Sequence, residues 1–239
     1  MTLTAKCERV WLVNERSDVV QRAMGYPYTA PWRPFVQLGH RTLAPEEFEI
    51  ERAERTPMLA YGSNASPEVL ARKLALSDQP VLVVPAWLDD FDVVYSAHIS
   101  PYGAIPATLQ RSPGTKARTH VVYMTSAQVG LVSATEPNYE AAEIDRAVCR
   151  LDDGEVVVSP SAYLSRHGCL LIDDSEVALS AVRASGRVFP ALSEPEAIER
   201  VRLSLSPGDD IETFVLANVT DPYLSQARSA QLPRRPSRA

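Results

Sequence analysis

Cysteine is scarce in this chain. Cys7, Cys149 and Cys169 are the three in 239 residues. They are far apart and odd in number, which excludes a disulfide framework and a CxxC metal or redox pair. Histidine is nearly as rare: His40, His98, His120 and His167 form no HxH or HExxH pair, so spacing offers no metal site. GxGxxG, GxxxxGK(S/T) and GxSxG are all missing, and with them the dinucleotide, phosphate-loop and nucleophile-elbow signatures. A Ser-His-Asp triad leaves no spacing rule to test, because its order varies between folds. No apolar run approaches membrane-spanning length, and the opening MTLTAKCERVW lacks the apolar core of a signal peptide. Positive charge is not in excess either: 24 Lys and Arg stand against 30 Asp and Glu, a net charge of -6. A nucleic-acid grip needs many phosphate-neutralising cations, so nucleic acid is not an expected partner. The expectation is a cytoplasmic protein with no membrane contact.

What is present is globular in composition, 45% hydrophobic and 23% charged. Residues 6–23 suit a helix stopped by Gly25 and Pro27. The segment GYPYTAPWRPFVQLGH follows, too rich in proline for regular structure and too aromatic to stand in water. A loop docked on the main body is expected there, with a lid or partner surface as the sharper alternative. The C-terminal Pro233-Arg234-Arg235-Pro236-Ser237-Arg238 is short and proline-broken, and a disordered end is expected. The acid pairs, such as Asp89-Asp90 and Asp152-Asp153, sit in turn-like contexts.

From Pro57 the pattern tightens. Met58 to Tyr61 suits a buried strand. Ser66-Pro67-Glu68 is helix-start chemistry, with Val69, Leu70, Leu74 and Leu76 available for one helix face. PVLVVPAWLDDFDVVYS reads as strands, GAIPATLQRSPG as strand then turn, and ARTHVVYMT as a further strand. Ser126 to Ala134 suits a short helix capped by Thr125 or Ser126. YEAAEIDRAVCRL and EVVVSPSAYL bracket a turn at Asp152-Asp153-Gly154. Helices are expected over 176–184 and 194–204. Between the first strand and first helix stands Tyr61-Gly62-Ser63-Asn64. Small residues there make a turn and nothing more, or a nest of amides that holds an anion or a carbonyl oxygen.

That loop, taken with PAWLDDFDVVYS, GAIPATL, VVYMTSAQVGLVSATE, SAYL and AVRASGRVFP in this order, resembles the γ-glutamylcyclotransferase-like superfamily. The resemblance spans residues 57–205. It leaves 1–56 as an N-terminal extension and 206–239 as a C-terminal extension with a flexible basic tail. It implies an α+β fold: a small, strongly bent or closed mixed β-barrel with flanking helices. It implies that Leu59, Ala60, Tyr61, Gly62, Ser63 and Asn64 bind the α-amino-acid end of a γ-glutamyl group. It makes Glu136 the proton-transferring residue, and Tyr139 and Gly103 possible pocket residues. The family reaction releases 5-oxoproline and a free amine, and needs no cofactor or metal. Two departures stand out. Pro137 follows Glu136 where the family usually has glycine, and a substrate-contacting tyrosine is replaced by Ser175-Glu176-Val177. A non-catalytic binding module and another amide-cleaving or transfer reaction remain the alternatives. A small γ-glutamyl compound is the expected partner, and homo-oligomerisation is left open.

Overall fold

The computed structural model describes residues 16–239. Cys7 and residues 6–15 of the expected first helix lie outside the described residues. The rest of that helix, α1, is helical over 16–24 and stops at Gly25, whose amide donates to the Gln21 carbonyl. After the docked aromatic segment come β1 (Phe35–Leu38), β2 (Arg41–Leu43) and β3 (Thr56–Ala60). The YGSN loop follows β3 and contains a 3-10 turn over Ser63–Ala65. It leads into α2 (Pro67–Lys73), where Pro67 occupies the first turn. Ser66 is the residue before that helix but makes no capping bond. Val69, Leu70 and Leu74 are buried as the spacing predicts. Leu76 is 88% exposed, because the helix ends at Lys73 and Leu76 has left its register.

Two long strands dominate the middle, β4 (Val81–Tyr95) and β5 (Ala107–Met124). From sequence, the Asp89-Asp90 pair and the Ser112-Pro113-Gly114 turn are expected to divide each in two. The structure instead absorbs Asp90, at φ +63°, and Ser112 to Thr115 as an irregularity between paired strands. The register shifts between Asp89 and Phe91, and such bulges bend and twist a sheet. The helix α3 (Ser126–Ser133) follows, with Thr125 and Gln128 forming a reciprocal cap. Next come β6 (Tyr139–Glu143), β7 (Val148–Leu151), β8 (Val156–Val158), β9 (Ser161–Ser165) and β10 (Cys169–Ile172).

Residues 176–184 are not the expected helix. They form short extended pieces: β11 (Ser175–Glu176), β12 (Ala178–Leu179) and β13 (Ala184–Ser185), then β14 (Ala191–Leu192). Edge pairing wins over helix propensity here, since β12 pairs with β4 and β13 with β5. Three helices close the chain, α4 (Glu194–Leu205), α5 (Ile211–Thr220) and α6 (Pro222–Gln231), before β15 (Arg234–Arg235).

The fold is α+β with a mixed sheet. Its main path runs β14-β12-β4-β5-β3-β9-β6, with parallel pairs at β3–β9 and β12–β14. No ladder among the described residues joins the two ends of that path into the closed barrel expected from sequence. The extensions are built into the body. β1 pairs with β4, and Phe214 and Val215 of α5 join the main core. The basic tail, expected to be disordered, is docked: β15 pairs with β10, Arg235 pairs with buried Glu176, and the Ser237 hydroxyl donates to the Leu109 carbonyl.

Candidate active site

At the C-terminal end of β3 the chain must turn out of the sheet. Gly62 makes that turn under the Tyr26 hydroxyl: an added Cβ would lie 2.4 Å from that oxygen. The amides of Ser63 and Asn64 find no acceptor among the described residues, as expected at the start of a helical turn. Two donors therefore face away from the fold's own ladders.

Glu136 arrives from the other side. After α3 the chain makes successive tight turns, with Glu136 N donating to the Ser133 carbonyl and Tyr139 N to the Glu136 carbonyl. Pro137 cannot continue a helix, so the chain leaves through β6. The Glu136 carboxylate meets the loop: Asn64 Nδ2 donates to its Oε1 at 2.9 Å. Lys73 Nζ also reaches Oε1, at 2.5 Å, and donates to Asn64 Oδ1 at 2.9 Å. The three side chains satisfy one another, while Glu136 Oε2 has no partner among the described residues.

These groups line a cavity of about 350 Å3. Of the residues singled out from sequence, Leu59, Ala60, Tyr61, Gly62, Ser63, Asn64, Glu136 and Tyr139 all line it, as does Tyr163. Gly103 does not. At φ +85° it sits in a turn where a Cβ would meet Val215 at 2.9 Å and Val219 at 3.1 Å. It is a packing glycine under α5, and its neighbour Tyr102 lines the cavity instead.

The walls are rich in phenols. The Tyr61 hydroxyl donates to the Tyr163 carbonyl, and the Tyr139 hydroxyl to the Ala107 carbonyl at 2.9 Å. Burial raises the pKa of both, so they remain neutral donors. His98 also lines the cavity and hydrogen-bonds the Ser96 hydroxyl at 2.7 Å. Burial, with smaller contributions from His167 and Arg234, lowers its pKa to about 3, so it is a neutral imidazole. Among the described residues, Glu136 is the one carboxylate lining this cavity.

Lys73, Tyr26, Tyr28, Arg72 and His98 were not singled out from sequence. Lys73 had a usable signal. It lies three residues after buried Leu70 on a helix whose other buried positions are Val69 and Ala71, with buried Leu74 just past its end, so its charge sits at the edge of the buried face. Tyr26 and Tyr28 had none beyond their aromatic crowding.

No protein-family model matches the chain, and no curated protein matches it. Among solved structures it is similar to a gamma-glutamyl cyclotransferase at 15% identity, covering 78% of this chain and 92% of that one with a TM-score of 0.38. It is similar to an uncharacterized protein from Homo sapiens at 16% identity, covering 76% and 90% with a TM-score of 0.37. It is also similar to an Arabidopsis thaliana protein at 23% identity, with a TM-score of 0.36; there the match covers 46% of this chain and spans 61% of the relative. Scores this low do not carry a fold or an activity across.

Proposed function

We propose that the chain is a γ-glutamylcyclotransferase-like enzyme. On this reading it converts a γ-glutamyl amide or peptide to 5-oxoproline and a free amine. The observation that carries the reading is the meeting of the Tyr61–Asn64 loop with Glu136, 72 residues on from Asn64, in one cavity.

The chemistry asks little of the protein. The substrate's α-amine is the nucleophile and its γ-carbonyl carbon the electrophile, so orientation replaces an enzyme nucleophile. Glu136 Oε2 takes a proton from the α-ammonium. The freed amine attacks the γ-carbon and the new C–N bond closes the ring. The ring nitrogen then gives up its second proton, and as the bond to the leaving nitrogen breaks that nitrogen takes both, each relayed by Glu136, so the amine departs as its ammonium. No atom is left over and no water is consumed. On this reading the Ser63 and Asn64 amides hold the substrate carboxylate or the developing oxyanion. Asn64 and Lys73 hold Oε1, which fixes the direction in which Oε2 is presented.

A second reading, a binding module without turnover, is favoured by the Lys73 contact, which already occupies half of the carboxylate. A panel of γ-glutamyl amines and peptides separates the two. Release of 5-oxoproline from any member supports the enzyme. Saturable binding with no release over many hours leaves the binding module.

A further inference from the structure

His98 has no role in the scheme above, although its ring lines the same cavity as Glu136. It stands just past the end of β4 and is 2% exposed. Two rings fix its plane. His167 stacks on it with centroids 4.5 Å apart, and Tyr139 meets it edge-on at 5.6 Å. The same neighbours tie it to the turn that carries Glu136. The Tyr139 amide donates to the Glu136 carbonyl, and His167 Nε2 donates to Asn138 Oδ1 at 3.0 Å. An imidazole constrained in this way presents one edge in one direction.

The hydroxyls behind the ring decide which nitrogen carries the proton. Ser96 Oγ lies 2.7 Å from His98 Nδ1 and 2.5 Å from Ser165 Oγ. Ser165 Oγ already accepts the His167 amide at 3.0 Å. Its own hydrogen has one acceptor among the described residues, Ser96 Oγ. Ser96 then donates to Nδ1, and the ring proton lies on Nε2. The reverse order, with Nδ1 donating, would leave the Ser165 hydrogen without an acceptor. His98 Nε2 makes no hydrogen bond among the described residues, yet it is not one of the fully buried atoms without a partner. It therefore opens on the cavity that the ring lines, as a neutral N–H donor.

We propose that His98 is a second catalytic residue, whose Nε2–H donates to the γ-carbonyl oxygen of the substrate and holds the negative charge that develops there. The inference rests on the γ-glutamyl reading, and it divides the donors of the cavity between two ends of one group. The Ser63 and Asn64 amides hold the α-carboxylate, and His98 holds the γ-oxygen. As the α-amine attacks, the C=O π pair moves onto that oxygen. The pair returns when the bond to the leaving nitrogen breaks, and no proton passes to or from His98. Neutrality suits the task. Burial holds the ring far below its ordinary pKa, so it polarises a carbonyl without bringing a second buried charge beside Glu136 and Lys73. A donor fixed in advance and aimed at developing charge is worth more in a cavity than in water.

The test pairs γ-glutamylglycine with its γ-thioamide, in which sulfur, a weak acceptor, replaces the γ-oxygen. Glycine release is followed in the full chain for wild type, His98→Phe, His98→Gln and Ser96→Ala. Phenylalanine keeps a ring between His167 and Tyr139 but has no N–H. It is expected to lower kcat on the oxygen compound by about 10²-fold with KM little changed, the usual loss for one oxyanion donor. Glutamine, which brings an amide N–H close to the place of Nε2, is expected to recover about tenfold of that loss. Ser96→Ala, which frees the tautomer, is expected to cost several-fold. The preference of wild type for oxygen over sulfur is expected to shrink several-fold in His98→Phe and less in Ser96→Ala. That preference is taken on one protein sample, so a misfolded fraction does not alter it, and Ser96→Ala supplies the same ratio if His98→Phe does not fold. A preference unchanged in the variants, or a loss confined to KM, overturns the assignment and leaves the cyclotransferase standing. Binding of γ-glutamylglycine by calorimetry without turnover leaves the binding module and overturns a catalytic His98. Wild type that neither binds nor cleaves it overturns the γ-glutamyl reading and the assignment with it.

Discussion

The two walls of the cavity are built on different terms. One consists of the YGSN loop, α2 and the turn after α3. Its polar atoms, Asn64 Nδ2 and Oδ1, Lys73 Nζ and Glu136 Oε1, are bonded to one another. The other is the strap of residues 25–32. The Tyr26 hydroxyl accepts from Ala107 N at 3.0 Å, the His120 ring meets the Pro31 carbonyl at 2.9 Å, and Trp32 stacks on His120 at 4.6 Å. Its Tyr28 hydroxyl has Arg22 beside it but no hydrogen bond of good geometry among the described residues, and Trp32 is half exposed. A satisfied polar network is rigid and presents one geometry, which suits bond-making chemistry. A strap tied down at a few points is the less constrained of the two walls.

The sharpest way to break this comparison is Glu136→Gln. Glutamine keeps the size and accepts the Asn64 bond but cannot carry a proton at neutral pH. Turnover should fall by about 10²–10⁴-fold, or roughly 3–5 kcal/mol of barrier, with the melting temperature little changed. A folded variant within a few-fold of wild type would remove Glu136 from the chemistry. Gly62→Ala should strike both walls at once, because its Cβ would lie 2.4 Å from the Tyr26 hydroxyl oxygen. We expect a loss of about 1–3 kcal/mol in urea unfolding, the usual cost of overpacking. Adding Tyr26→Phe should recover part of that loss; recovery of none would mean that the strap does not press on the loop.

Two buried histidines stand beside these walls: His98 lines the cavity, and His120 lies under the strap. Burial lowers His98 to about 3, and it lowers His120, under the strap, to about 4. Both folded-state values lie below the ordinary 6.5, so the unfolded chain binds the proton first as pH falls. Their contribution to stability is complete above about pH 6.5. It is lost as pH drops toward the folded values, at up to about 1.4 kcal/mol per pH unit for each histidine. Glu194, raised by burial, contributes the opposite slope above the ordinary carboxylate range, so the difference between wild type and variant is what is read. Urea midpoints between pH 5 and 7 should show a shallower slope for His98→Gln and for His120→Gln. An unchanged slope in either would mean that its ring is already protonated or exposed in the native state. The smallest effect belongs to Trp32→Ala. The ring is 52% exposed, stacks on His120, and has the Arg118 guanidinium 5.2 Å from its centroid. A loss of about 0.5–1.5 kcal/mol is expected, with faster protease cleavage within 25–34. Cleavage at the wild-type rate would mean that the strap is held from elsewhere.

Much of this architecture was legible in local patterns. The Thr125 cap, the proline that opens α2, the turn at Asp152 to Gly154 and the buried run of β3 depend on neighbours within a few residues, and they lie where those residues place them. Proximity of the loop to Glu136 was legible only through the order of several motifs. Four features were decided by tertiary structure. Residues 176–184 follow a helical pattern but lie extended, because the edges of β4 and β5 offered backbone partners. Gly103 went to packing under α5, since a bare Cα is as useful against a helix as against a ligand. The basic tail found Glu176 and β10. The tyrosines of the extension became the second wall of the cavity. Caps, turns and periodicity are short-range energies that a sequence carries in its own order. A charge pair such as Lys73 with Glu136, or a strap over a glycine, depends on distances that exist only once the chain has closed on itself.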